Sequence, residues 1–191
     1  FAAGAEAAKS GKLLYAKRIG SSTTEAGATA IAAGPKGVTA LAGYQRQGTY
    51  YPMVAKYTSA GKRVWLRTCT VAGEGQADDV AFDRSGNVYV AATVWSGTRP
   101  DIVVLKYSAG GVLRWATEPY DSGSNREDEA VKLAVDGKGD VVVLGESNYT
   151  GRMGIVVLKY KKKNGKLAWP SRRAGTRTLV TRIKATTIWP T

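Results

Sequence analysis

The chain has 191 residues, of which 43% are hydrophobic, enough for one or at most two globular units with a buried core. Its apolar runs, such as residues 155–158, are far too short to cross a bilayer, so no membrane span is expected. The formal net charge is +13 and histidine is absent, which removes the commonest general base, most zinc sites and every Ser-His-Asp or Cys-His arrangement.

The chain starts at Phe1 with the small-residue stretch "FAAGAEAA", which suits a processed precursor or a piece of something longer. Residues 1–9 are read as an N-terminal extension. From residue 10, "SGKLLYAKRI" aligns with "AGKRVWLRTC" from residue 60, placing Tyr15 where the later copy has Trp65. The rest of the chain keeps this rhythm. Lys-Tyr recurs at Lys56, Lys106 and Lys159, and tryptophan at Trp65, Trp115 and Trp169. A second register, "AIAAGPKGVTALAG", "VAFDRSGNVYVAAT" and "LAVDGKGDVVVLGE", carries Gly37, Gly86 and Gly139 at nearly the same spacing. A period near 50 residues implies stacked supersecondary units, here about 10–57, 58–107 and 108–160 with a partial unit from 161, so that the repeats span 10–170.

Within a unit the pattern has strand length and strand period. "NVYVAAT" and "DVVVLGE" are rich in β-branched residues and bounded by Gly, Asp and Asn. The turns at 83–87, 136–140 and 108–110 each offer a glycine for a positive φ. Each unit therefore reads as four hairpin-connected antiparallel strands. Runs such as "IVVLKY" are apolar on both faces. With a 50-residue period, that predicts all-β architecture in the form of β-propeller blades, packed face against face. A tryptophan at one fixed position per blade fills the wedge between sheets. The recurring lysine sits mid-strand and is expected to snorkel or to pair with Asp79 or Asp128 from the loop before a neighbouring strand. Cys69, the sole cysteine, is expected to be a packed thiol.

Towards the end, "VTRIKA" from residue 180 repeats "AVKLAV" from residue 130, so the chain closes on a first-strand element. About three and a half blades result, fewer than the four to eight of closed rings. The chain is thus part of a longer propeller, or is completed by another chain, or closes a small ring through its own ends. Residues 147–191 hold eleven Lys or Arg and no Asp or Glu. Lys161, Lys162, Lys163, Lys166, Arg172, Arg173, Arg177, Arg182 and Lys184 are the candidate anion-binding residues, with 171–191 read as a basic C-terminal segment. Only Trp169 and Trp189 are near for base stacking, so nucleic acid is the weaker choice of partner.

The segments "DDVAFDRSGNVYVAAT", "DIVVLKYSAGGVLRW" and "DEAVKLAVDGKGDVVVLGE" resemble the bacterial β-propeller repeat family often called SBBP. The resemblance runs from about residue 10 to Trp169. It implies a secreted, periplasmic or cell-surface protein, and structural positions rather than catalytic ones. After Trp169 the family's Gly- and Asp-rich loop is replaced by the basic "PSRRAGTRTLVTRIK". "NGKLAW" is also similar to the docking element of quinoprotein dehydrogenase propellers, where it implies sheet packing and no cofactor. The acidic triplet Glu127, Asp128 and Glu129 is read as an interblade loop, equivalent to Asp78 and Asp79, rather than an acid–base pair. "DRSGN" and "DGKGD" lack the spacing of a calcium loop and are read as turns. Asn148-Tyr149-Thr150 forms a glycosylation sequon.

These readings converge on a non-catalytic module for binding or assembly at the cell surface or outside the cell, with no cofactor and no metal. Its expected partner is a protein or a glycan, and open sheet edges predict a homo-oligomer or larger assembly. The alternative is a binder of nucleic acid or acidic polysaccharide through the basic end.

Overall fold

The computed structural model describes residues 23–95, 97–122, 127–148 and 152–168, together with Ala16 and Ile19. Among these, eleven strands form three antiparallel sheets, one after another along the chain. The first sheet holds β1 (Ala26–Ala33), β2 (Thr39–Gln47), β3 (Thr49–Tyr57) and β4 (Arg63–Thr68). The second holds β5 (Glu74–Phe82), β6 (Val88–Trp95), β7 (Pro100–Tyr107) and β8 (Leu113–Ala116). The third holds β9 (Asp128–Val135), β10 (Val141–Asn148) and β11 (Met153–Tyr160), and a single bridge between Tyr160 and Leu167 stands where a fourth strand would pair. The only helical pieces described are two short 3-10 turns, and no described helix is long and apolar enough to cross a membrane. The described residues close into no ring.

Each sheet is a meander in which sequence neighbours pair. The sheets begin at β1, β5 and β9, so unit boundaries at 57 and 107 fall inside a sheet, between its third and fourth strands. In every sheet the first strand carries one bulged residue that the second strand skips: Thr29, Asp78 and Val131. They recur with the spacing of Gly37, Gly86 and Gly139, so the bulge belongs to the repeat.

The two-sided apolar strands of the second sheet explain the stacking. Successive side chains of a strand point to opposite faces. On β6, Val88, Val90, Ala92 and Val94 face the first sheet, where they meet Ala40, Ala42, Val54 and Trp65. Tyr89 and Ala91 face the other way, with Ile102 and Val104 of β7, against Ala130, Leu133, Val141, Val143 and Leu158 of the third sheet. A middle layer has no solvent side, and its strands cannot alternate apolar with polar. Cys69 is buried in the first of these cores, where its sulfur accepts the Tyr107 hydroxyl at 3.0 Å.

Turn chemistry is regular. At 83–87 the Asp83 carboxylate accepts the amides of Ser85 and Asn87, and Gly86 takes φ 77°. At 136–140 Asp136 does the same for Lys138 and Asp140, with Gly139 at φ 86°. The turn after β7 corrects the expectation for 108–110. Its left-handed residue is Gly111, at φ 82°, because the amide bonded back to the carbonyl of Ser108 is that of the fourth residue, not the third.

Candidate functional site

Lys56 lies directly across the β3–β4 ladder from Trp65, and Lys106 across β7–β8 from Trp115. Both members of each pair donate to one backbone oxygen in the next sheet. The Lys56 ammonium and the Trp65 indole N–H each reach the Ala109 carbonyl at 3.0 Å. Lys106 and Trp115 reach the Lys162 carbonyl at 3.1 and 3.0 Å. The expected pairing of these lysines with Asp79 or Asp128 does not occur, and neither do they snorkel: Lys56 and Lys106 are buried, 6% and 8% exposed. The tight turn of the neighbouring sheet delivers a carbonyl oxygen to the lysine, whereas Asp79 lies in mid-strand on β5. There its carboxylate accepts the Leu133 amide at 2.8 Å and pairs with Lys132 at 3.6 Å.

Burial lowers the pKa of Lys56 and of Lys106, with Lys162 and Arg114 adding to the effect at Lys106 while Asp83 opposes it. The Lys106 ammonium also sits over the Tyr89 ring, 5.0 Å from its centroid, and Lys56 over Phe82 at 5.5 Å. Lys159, at the same repeat position, instead pairs with Asp136 of its own sheet at 2.6 Å, which raises its pKa.

The tryptophans act as wedges. Trp65 is 6% exposed and packs on Tyr107 with ring centroids 5.8 Å apart. A Cβ on Gly111 would stand 2.6 Å from the Trp65 ring, so both the turn and the indole demand glycine. Trp115 is half-buried and repeats the arrangement against Tyr89 and Gly165. Tyr15 and Trp169 lie outside the described residues.

A cleft of about 750 Å³ opens beside the second clamp, lined by Asn87, Lys106, Arg114, Trp115, Asp140, Lys161, Lys162 and Lys163. It gathers five basic side chains against one carboxylate. Lys161, Lys162 and Lys163 form the turn that docks on the second sheet, fixed by the Lys161 amide on Lys166 O at 2.8 Å and the Lys162 amide on Asp140 at 2.9 Å. Lys166 is not among them. It lines a separate hollow with Glu118, Tyr120 and Asn164, because the turn reverses between Lys163 and Lys166. Arg172, Arg173, Arg177, Arg182 and Lys184 lie outside the described residues. The contribution of Lys106 and Arg114 was missed in the sequence, although both flank the repeated turn beside Trp115.

The acidic triplet also needs correcting. Asp128 and Glu129 belong to β9, and Asp78 and Asp79 to β5, so neither pair is a loop. Glu127 is engaged by Arg99, while Glu129 faces a hollow shared with Asp78, Thr93 and Gln76. Burial raises the pKa of Asp78 and the Glu129 charge adds to this, against hydrogen bonds from Thr93 and Gln76. Asp128 points elsewhere, fully buried near Asp101 and Asp121. The calcium-like turns have their carboxylates filled by turn donors. Burial alone would raise the pKa of Asp83, but its bonds from Asn87, Tyr89 and Ser85 bring it below the ordinary value. Of the sequon, Asn148 ends β10 and the other two residues lie outside the described set.

No known protein-family model matches the chain, and no curated protein does. Among solved structures the chain is similar to a crystal structure of a protein of unknown function from Bacteroides caccae, at 11% identity and a TM-score of 0.42. The match covers 75% of this chain and 60% of that one, so the chain spans about three fifths of that protein's length.

Proposed function

We propose that the chain is a run of β-propeller-type blades, of the SBBP kind, that works without catalysis outside the cytoplasm and binds an acidic polysaccharide in the cleft beside Trp115. The carrying observation is the cleft itself, where Lys106, Arg114 and Lys161–Lys163 surround one carboxylate, Asp140. A groove of one sign concentrates an oppositely charged polymer. The propeller reading is supported by the first strands, since β5 lies against β1, β2 and β3, and β9 against β5, β6 and β7. It is also supported by the outer face of the third sheet, where Leu144, Ile155 and Val157 are exposed. A further sheet of the same kind, from this chain, a longer one or another copy, fits such a face.

Polysaccharide is favoured over nucleic acid by the single aromatic ring. Trp115 is packed against Gly165 and Tyr89 and so offers little free face for base stacking. The full chain should bind a sulfated polysaccharide with an affinity that falls steeply as salt is raised. The double variant Arg114→Ser with Lys163→Ser should weaken binding about tenfold, since two surface cations contribute roughly 1.4 kcal/mol together. Calorimetry at several salt concentrations measures both. Binding indifferent to salt, or unchanged in the double variant, removes the cleft from consideration, and tighter binding of a single-stranded oligonucleotide transfers the site to nucleic acid.

A further inference from the structure

At the far end of β7 from the basic cleft, the fold brings three carboxylates together. Asp101 is the second residue of β7. Beyond β8 the chain runs back beside β7, with the Tyr120 amide on the Ile102 carbonyl at 2.8 Å, which sets Asp121 alongside Asp101. Asp128 opens β9. One carboxylate oxygen from each of the three lies within 4.8 Å of the others. Oxygens that share an ion about 2.4 Å away must lie within about 4.8 Å of one another, a condition these three carboxylates meet.

A cluster of acids alone would say little, but Asp128 is 0% exposed and half of its carboxylate is unmatched. Oδ2 accepts the Ser122 amide at 2.7 Å, whereas Oδ1 is buried and takes no hydrogen bond. The Ser122 hydroxyl beside it is likewise buried without a partner. The chain elsewhere fills its structural carboxylates with turn amides, as at Asp83 and Asp136. A buried carboxylate oxygen lacking a donor, next to two further carboxylates, is costly unless positive charge joins it.

We infer that Asp101, Asp121 and Asp128, with the Ser122 hydroxyl, form a binding site for a divalent cation of the calcium class, joining the second sheet to the start of the third. All the donors are oxygen, which suits a hard ion and disfavours zinc or copper. Ligands drawn from three separate segments, a mixture of exposed and buried, suit Ca²⁺ better than Mg²⁺, which requires a near-ideal octahedron. The site lies roughly 17 Å along β7 from Lys106, five residues at about 3.3 Å each, so it does not depend on the anion cleft.

The test is a titration of the full chain, stripped with chelator, with CaCl₂ followed by calorimetry and thermal unfolding. Binding of one ion is expected, with a dissociation constant on the order of 10⁻⁵ to 10⁻³ M and a rise in melting temperature, and with MgCl₂ markedly weaker. Terbium supplies a second readout, its emission sensitised through Tyr120. Asp121→Asn, at an exposed position, should keep the fold by circular dichroism yet bind Ca²⁺ at least about tenfold more weakly. Asp128→Asn should abolish binding; should it fail to fold, Asp121→Asn still carries the test. A folded wild type that gives neither heat nor stabilisation with CaCl₂ overturns the site, as does undiminished binding by Asp121→Asn.

Discussion

The two sheet junctions are built from the same motif and finished differently. In both, a cross-strand Lys–Trp pair closes on one carbonyl of the following sheet's glycine turn: Ala109 at the first, Lys162 at the second. At the first junction the indole is buried, and valines and alanines fill the space behind it. At the second, Trp115 is half-exposed. Polar ties cross both junctions: at the first Arg67 donates to the Gly111 carbonyl at 2.8 Å, and at the second the Asp79 carboxylate accepts the Leu133 amide and the Thr93 hydroxyl accepts the Ala130 amide at 3.0 Å. The clamp therefore sets how sheets meet, while the residues around it are free to diverge. At the second junction that freedom yields a basic cleft at one end and an acidic cluster at the other.

The largest expected difference lies in the tryptophans. Trp65→Ala should cost about 3–5 kcal/mol in urea unfolding, as full truncation of a buried indole does. Trp115→Ala should cost about 2 kcal/mol, because part of its ring already meets water. Equal losses would show that the two junctions do not differ in burial. Next come the turn glycines. Gly111→Ala forces both a strained φ and a contact with the Trp65 ring, and should cost about 1–3 kcal/mol by thermal unfolding. Its neighbour Gly110→Ala, with ordinary φ and only the Ser108 hydroxyl near, at 4.0 Å, should stay within about 0.5 kcal/mol. A Gly110 effect as large as that of Gly111 would remove the indole fit as the cause.

The smallest effects concern the lysines, and their signs oppose each other. Lys56 has a pKa lowered below 10.5 by burial, so the folded state holds its proton less well than the unfolded chain. The resulting penalty is present below its folded pKa and fades as pH rises to 10.5. Lys159 has a pKa raised by Asp136, so its contribution is complete below 10.5 and fades as pH climbs through the raised value. Lys56→Met should remove a gain in stability that ends near 10.5, at a net cost of about 1 kcal/mol at neutral pH. The Ala109 carbonyl retains the Trp65 indole as a donor, while the Gly86 carbonyl loses the Lys56 ammonium. Lys159→Met should flatten the decline that begins above 10.5. Stability curves across alkaline pH would separate them, and parallel curves would deny that one repeat position serves two roles.

Much of this architecture was legible in residue letters. The period, the strand alternation and the left-handed glycines at 86 and 139 are local properties, fixed by sterics and by the burial of every second side chain. The double-faced run of β7 marks a middle layer without any knowledge of its neighbours. Trp65 as a wedge follows from size alone.

What could not be read from letters was partnership. The clamp ends on carbonyl oxygens of Ala109 and Lys162, and every residue has such an oxygen, so the partner carries no signature. Side-chain acids were the visible choice for the lysines, yet the stacking offset brings turn backbones instead. The same offset sets Lys106 and Arg114 beside Lys161–Lys163. Asp101, Asp121 and Asp128 are spread over 28 positions and meet only once β7, the returning chain and β9 converge. Sequence spacing encodes which faces are apolar and where the backbone turns. Which oxygen or charge lies opposite depends on how far one sheet is shifted over the next, and that shift is set by the packing of the whole stack.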